Sequence, residues 1–284
     1  MARFRRRRRR PTQSIAKADL HVRHFDSLPE FGRDCKRVLG ERASSTEGGD
    51  WYGGESFATA IERCETGDER YVSEAERLVE KFRDSVDISL LQPRWVVEPV
   101  GAFPSVPDFL AGQPECMWRR IQEESERAPL TIWACVTSSA GVGAKQLLAR
   151  GIAITALYMA LSATRAVNLR VFSGLGSYGD GPDGVVTVAF PQPIALSQAA
   201  FGFASQGFAR GLTYKWIKGE FGTQGGWPSV IGHGKREERI EEWARVLGAG
   251  EDDIIFPHTF LHDEDVRDPI GYVQRLIAEF TNED

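Results

Sequence analysis

The chain is short of the residue types that build reactive centres. Its four cysteines, Cys35, Cys64, Cys116 and Cys135, are widely spaced and form no C-x-x-C pair. That excludes zinc-ribbon and thioredoxin-type motifs and points to reduced thiols in an intracellular setting, with Cys135 inside a strand. Of the five histidines, His21, His24 and His233 stand alone, so no Ser/His/Asp order can be assembled. His258 and His262 have the spacing of metal ligands on a helix, but Pro257 and the flanking apolar residues read as extended backbone. No apolar run is long enough to span a membrane; the longest, residues 151–161, contains Thr155 and Tyr158. The N-terminal arginines lead into polar sequence, unlike a secretory signal.

Nucleotide fingerprints are also missing. Around Lys145 the fixed places of a phosphate-binding loop hold Ser139, Ala144 and Gln146, so only the lysine fits. The lone G-x-G at residues 174–176 follows one strand and precedes another, whereas a dinucleotide loop leads into a helix.

What the chain does contain is ordinary globular material: 284 residues, 42% apolar and 26% charged, with seven Trp and sixteen Phe available for a core. Charge is uneven. Arg3, Arg5, Arg6, Arg7, Arg8, Arg9 and Arg10 crowd the first ten residues, and without these seven the net charge goes from −5 to −12. Such a run gives affinity for phosphate backbones with little sequence discrimination, or else is a solvated leader.

Three regions are expected: a disordered Arg-rich tail (1–20), a helical and Pro-rich region (21–128), and a Rossmann-like α/β domain (129–284). Around Leu28 to Leu39 one or two helical turns are expected. Ser56 caps a helix at 57–65, and a second follows at 68–84. Five prolines between 93 and 114 confine the next section to short pieces, with a strand at 94–100 and a helical turn at 106–111; a helix is expected at 117–127. From residue 130 the pattern is strand, turn, long helix, strand. Further elements are a strand at 185–190, a helix at 194–208, a helix at 235–247, a strand at 254–260 and a helix at 269–280. Four strands with interleaved helices make a small sheet.

The turn after the first of these strands sits where open α/β sheets place their ligands, and it carries Thr137, Ser138 and Ser139, with Lys145 following. The alternation and the hydroxyls resemble von Willebrand factor A-like domains, in which a strand ends in Asp-x-Ser-x-Ser and the oxygens hold Mg²⁺. In register, this chain reads Cys135-x-Thr137-x-Ser139. Both hydroxyls match, but a thiol replaces the carboxylate, and Mg²⁺ depends on hard, charged oxygen ligands. The expectation is a degenerate, metal-free site, with Mg²⁺ at Thr137 and Ser139 the one cation the pattern leaves open; Asp180 or Asp183 would have to supply the carboxylate. Trp227, flanked by glycines on a loop, is a candidate partner contact, while most of Trp51, Tyr52, Phe103, Trp118 and Trp216 are expected to pack in the core.

Three segments carry a second resemblance: DWYGGESFATAIERCETGDERYVSEAERLVEKF (50–82), VGAFPSVPDFLAGQPECMW (100–118) and TIWACVTSSAGVGAKQLLARGIAITALYMALS (131–162). In this order they resemble an uncharacterised family of proteins encoded by bacteriophages and prophages. The resemblance implies a phage protein in host bacterial cytoplasm or in the virion, and it brings no site residue. The leading functional expectation is a non-enzymatic module that presents the 137–143 turn to a protein partner. The alternatives are nucleic-acid binding through the Arg run, and an enzyme using the 137–145 turn.

Overall fold

The structure is a computed structural model, and it describes residues 20–44, 53–83, 94–100, 103–121, 129–162, 165–176, 182–223 and 236–281. In chain order the elements are β1 (Leu20–Phe25), α1 (Leu28–Leu39), α2 (Phe57–Thr66), α3 (Glu69–Arg83), β2 (Arg94–Glu98), β3 (Phe103–Pro104), α4 (Val106–Leu110), β4 (Met117–Ile121), β5 (Leu130–Cys135), α5 (Ala144–Leu161), β6 (Val167–Leu175), β7 (Asp183–Phe190), α6 (Leu196–Ala204), α7 (Tyr214–Phe221), α8 (Arg236–Leu247), β8 (Ile254–Phe256), α9 (Glu264–Arg267) and α10 (Pro269–Thr281).

The main sheet has the order β1-β7-β6-β5-β8. Its pairings are parallel except for β6 with β7, which run antiparallel. This is a mixed α/β fold with a mostly parallel sheet, as the alternation of elements predicts. Side chains alternate across it with the period of the pleat. Ile132 and Ala134 of β5, Leu169 and Val171 of β6 and Val186 and Val188 of β7 face the larger core under α1, α2, α5, α6 and α10. Trp133 and Cys135, with Phe172, Val185 and Ile255, face the opposite side, where Trp243 and Leu247 of α8 cover them.

Local chemistry sets the helix ends. Ser27 and Ser56 accept from Glu30 N and Thr59 N, opening α1 and α2. In α5 the Gly143 N–H donates to Gln146 Oε1 at 2.9 Å. Gly151 lets α5 approach α6 closely: a Cβ there would lie 2.4 Å from the Phe203 carbonyl oxygen. That contact brings the first turns of α5 beside the end of α6.

Several expectations need correction. The sheet has a fifth strand, β1, whose LHVRHF alternates in burial at an edge; its charged and His positions hid it among polar sequence. Phe25, Leu28 and Phe31 then share one core with Leu130 and Ile132, so sheet and core draw on both sides of the 128/129 boundary. Residues 117–121 form β4, paired with β2, rather than the start of a helix. The helix expected at 194–208, with an extension toward Trp216, is instead α6 ending at Ala204, a π-helical segment, Gly207–Thr213, and α7, which carries Trp216.

β2, β4 and β3 make a second, antiparallel sheet. Among residues 97–100 and 104–118 none enters a buried core cluster. α4 interrupts this sheet between β3 and β4, with Pro107 in its first turn where the missing N–H costs nothing.

Candidate functional site

The carboxyl ends of β5, β6 and β8 gather the hydroxyls flagged in the sequence. Thr137 Oγ1 shares a hydrogen bond with Ser173 Oγ at 2.8 Å and accepts from Gly174 N at 3.2 Å. Thr213 Oγ1 lies 3.1 Å from the same Ser173 oxygen. Ser138 forms a parallel bridge with Thr259, and Ser139 N donates to Thr259 O at 2.8 Å. The turn is thus half-buried and tied down at Thr137, Ser138 and Ser139. Cys135 is fully buried on the α8 face, and burial pushes its thiol up to about 11. At neutral pH it is an uncharged thiol, which is no substitute for a carboxylate toward a hard cation.

Arginine occupies the ground between these strand ends. Arg150, 3% exposed on α5, donates to Cys135 O at 2.8 Å, to Pro257 O at 3.1 Å and to Asp265 Oδ2 at 2.7 Å. Arg236 reaches Asp265 Oδ1 at 2.6 Å, and Arg239 reaches Asp263 at 2.6 Å. Burial would raise the Asp265 carboxyl, but Arg150 and Arg236 hold it below the usual carboxylate range. Arg210 donates to Val142 O at 2.6 Å and to Ser138 Oγ at 3.3 Å, and burial lowers its pKa. Among the described residues, Arg150, Arg236 and Arg239 pair with Asp263 and Asp265 here, beside Arg210.

A second place has a different character. Between α2, α3, the first turns of α5 and the end of α6 lies a cavity of about 420 Å³, lined by Glu55, Arg63, Arg70, Tyr71, Lys145 and Gln206 among others. Arg63 donates to Glu55 Oε1 at 2.5 Å and lies 3.2 Å from Asp68 Oδ2. Arg70 also donates to Asp68 at 2.6 Å, which lowers the Asp68 carboxyl. Ser205 Oγ donates to the other Glu55 oxygen at 2.5 Å. Burial and then the Glu55 charge raise the Tyr71 phenol.

The structure separates the predicted site residues. Thr137 and Ser138 belong to the strand-end network, whereas Lys145 points away from it and lines the cavity. Trp227, Arg3 and Arg5 through Arg10, and Asp180 lie outside the described residues. Asp183 is buried at the start of β7. His258 is 1% exposed, with Trp243 Nε1 donating to its Nδ1 at 3.3 Å, while His262 is exposed. Among the described residues no group of three or more His, Cys, Asp or Glu is placed to hold a metal ion, and no helix is long and apolar enough to cross a membrane. Trp216 is fully buried, as expected of the aromatic set.

Arg150, Glu55, Arg63, Arg70 and Gln206 were not singled out by sequence, and Asp265 drew notice only as one of the acids following His262. Arg150 had a signal: it interrupts a helix that is apolar nearly all round, and a charge in such a helix must find buried partners.

The chain matches the family model described as Domain of unknown function (DUF7192) over residues 10–282 and belongs to that family. No curated protein and no solved structure matches it.

Proposed function

We propose that the protein is a non-enzymatic interaction module of bacteriophage or prophage origin, built on a metal-free von Willebrand A-like sheet, that works in the host cytoplasm or the virion. Its docking surface is α4. Val106, Phe109 and Leu110 stand at i, i+3 and i+4, so they share one helical face. They are 61, 63 and 79% exposed, and neighbouring Val100 is 77% exposed. Fully burying such a side chain is favourable by about 1.5–3 kcal/mol, so a helix that turns three of them to water is missing its cover. This observation carries the reading. Asp108 and Glu115 lie beside the patch, which suits a partner protein with an apolar face and a basic rim.

The strand-end turn supports a scaffold role better than a catalytic one. Thr137 and Ser173 engage each other and Thr213, and among the described residues no carboxylate or histidine contacts Thr137 as a general base would. The β5–α5–β6 unit with its hydroxyl turn supports the von Willebrand A-like assignment, and the buried Cys135 thiol in the carboxylate's place supports its metal-free form.

A photo-crosslinking residue placed at Phe109, with a second at exposed Glu237 on α8 as control, tests this in phage-infected cells. The expected result is one discrete adduct at position 109 that is absent at 237 and is lost with Leu110→Asp. No adduct at 109, or the same adducts from both positions, would overturn the reading. An adduct of two copies of this chain would reassign the patch to self-association.

A further inference from the structure

We propose that the cavity between α2, α3, α5 and α6 is a binding site for a small organic anion: a phosphate monoester or a carboxylate that carries a neutral hydrogen-bonding group near its charge. At about 420 Å³ it has the size of a small-molecule site and far exceeds a water or a lone ion.

Charge defines the first half of the ligand. Arg63 and Arg70 are balanced by Glu55 and Asp68. Lys145 is exposed in the first turn of the 18-residue helix α5, and among the described residues it has no carboxylate partner. One positive charge is left over on the wall, at the positive end of a helix dipole, which favours an anionic head.

Gln206 defines the second half. It is 8% exposed and lines the cavity, and its buried side-chain Oε1 has no hydrogen-bond partner among the described residues. Buried amides in native structures have partners almost without exception, and a ligand in the cavity would supply one here. An amide offers a donor and an acceptor side by side, and it reads a hydroxyl, an amine or a base edge equally well. Gly53 makes the approach to Gln206 feasible. Its φ is +68°, and an added Cβ would stand 3.1 Å from the Gln206 Cβ. This site lies apart from the α4 surface and does not depend on it.

Isothermal titration calorimetry of the full chain decides the matter, with AMP and glutamate as organic anions and adenosine and inorganic phosphate as controls. The expected result is one-to-one binding of AMP or glutamate, tighter than adenosine or phosphate, with the better of the two identifying the head group. Lys145→Ala should weaken that binding about tenfold or more, and Gln206→Leu by about threefold or more, neither with a loss of stability in urea melts. Failure of both organic anions to bind at about 1 mM, adenosine matching AMP, or binding indifferent to Lys145→Ala would each overturn the proposal.

Discussion

At the carboxyl ends of β5, β6 and β8, Thr137, Ser173 and Thr213 satisfy one another, and Arg150 closes two strand carbonyls and a carboxylate. At the cavity beside α2 and α3, a lysine and an amide are left over. Both regions are polar and partly buried, and the sequence makes the first look the more functional. The difference teaches that residue type marks where chemistry is available, while the pairing of charges marks where it is already engaged: the strand-end carboxylates meet guanidinium groups, whereas Lys145 has no carboxylate partner among the described residues. A network with its members paired is a joint between elements. It rigidifies the sheet, although Thr259 Oγ1 and Arg236 Nη2 are also buried there without a hydrogen-bond partner among the described residues.

Breaking the joint should produce the largest effect. Asp265→Asn leaves Arg150 and Arg236 buried without their countercharge, and the expected loss of stability at pH 7 is about 3–5 kcal/mol. The sign with pH follows from the lowered carboxyl. Its stabilisation is fully present above its ordinary value of 3.8 and disappears as pH falls through the lower folded value. The gap between wild type and variant in urea melts should therefore hold from pH 7 to about 5 and narrow toward pH 3. A gap that grows on acidification would mean that Asp265 is not charged in the folded protein.

A smaller loss is expected from within the hydroxyl cluster. Ser173 is 2% exposed and bridges Thr137 and Thr213. Ser173→Ala removes both partners at once and should cost about 1–3 kcal/mol. Lys145→Ala, a few residues further along the turn, should change stability by less than about 0.5 kcal/mol because its side chain is exposed. Equal losses from the two would erase the distinction between joint and cavity wall.

The fold was legible wherever pattern and burial agree. β5, α5 and β6 announce themselves through an apolar strand, a Gly-led helix and a second apolar strand, and α2 and α3 through Ser56 and a regular apolar stripe. β1 was hidden because half its side chains face solvent at a sheet edge, and β4 because MWRRI runs into an acidic stretch of helix-forming residues. The site was less legible, since its members come from distant segments. Glu55, Arg63, Lys145 and Gln206 span about half the chain, and packing of α2 and α3 against α5 and α6, with α5 on α6 through Gly151, brings them together. Lys145 attracted attention as part of a failed phosphate-loop pattern, yet its interest lies in where the helix aims it.

The smallest predicted change has the opposite sign. Gln206 sits in a position where an apolar side chain of similar size would leave no polar atom without a partner. Gln206→Leu should therefore be neutral or stabilising by up to about 1 kcal/mol in urea melts of the unliganded chain. Ser173→Ala, an exchange of similar burial and smaller volume, should be destabilising in the same assay. The contrast isolates the cause, because both substitutions remove a buried polar group and differ in whether that group was engaged. A loss of more than about 1 kcal/mol from Gln206→Leu would show the amide already held within the folded chain. The cavity would then be a joint like the strand ends, and its claim on a ligand would rest on Lys145 alone.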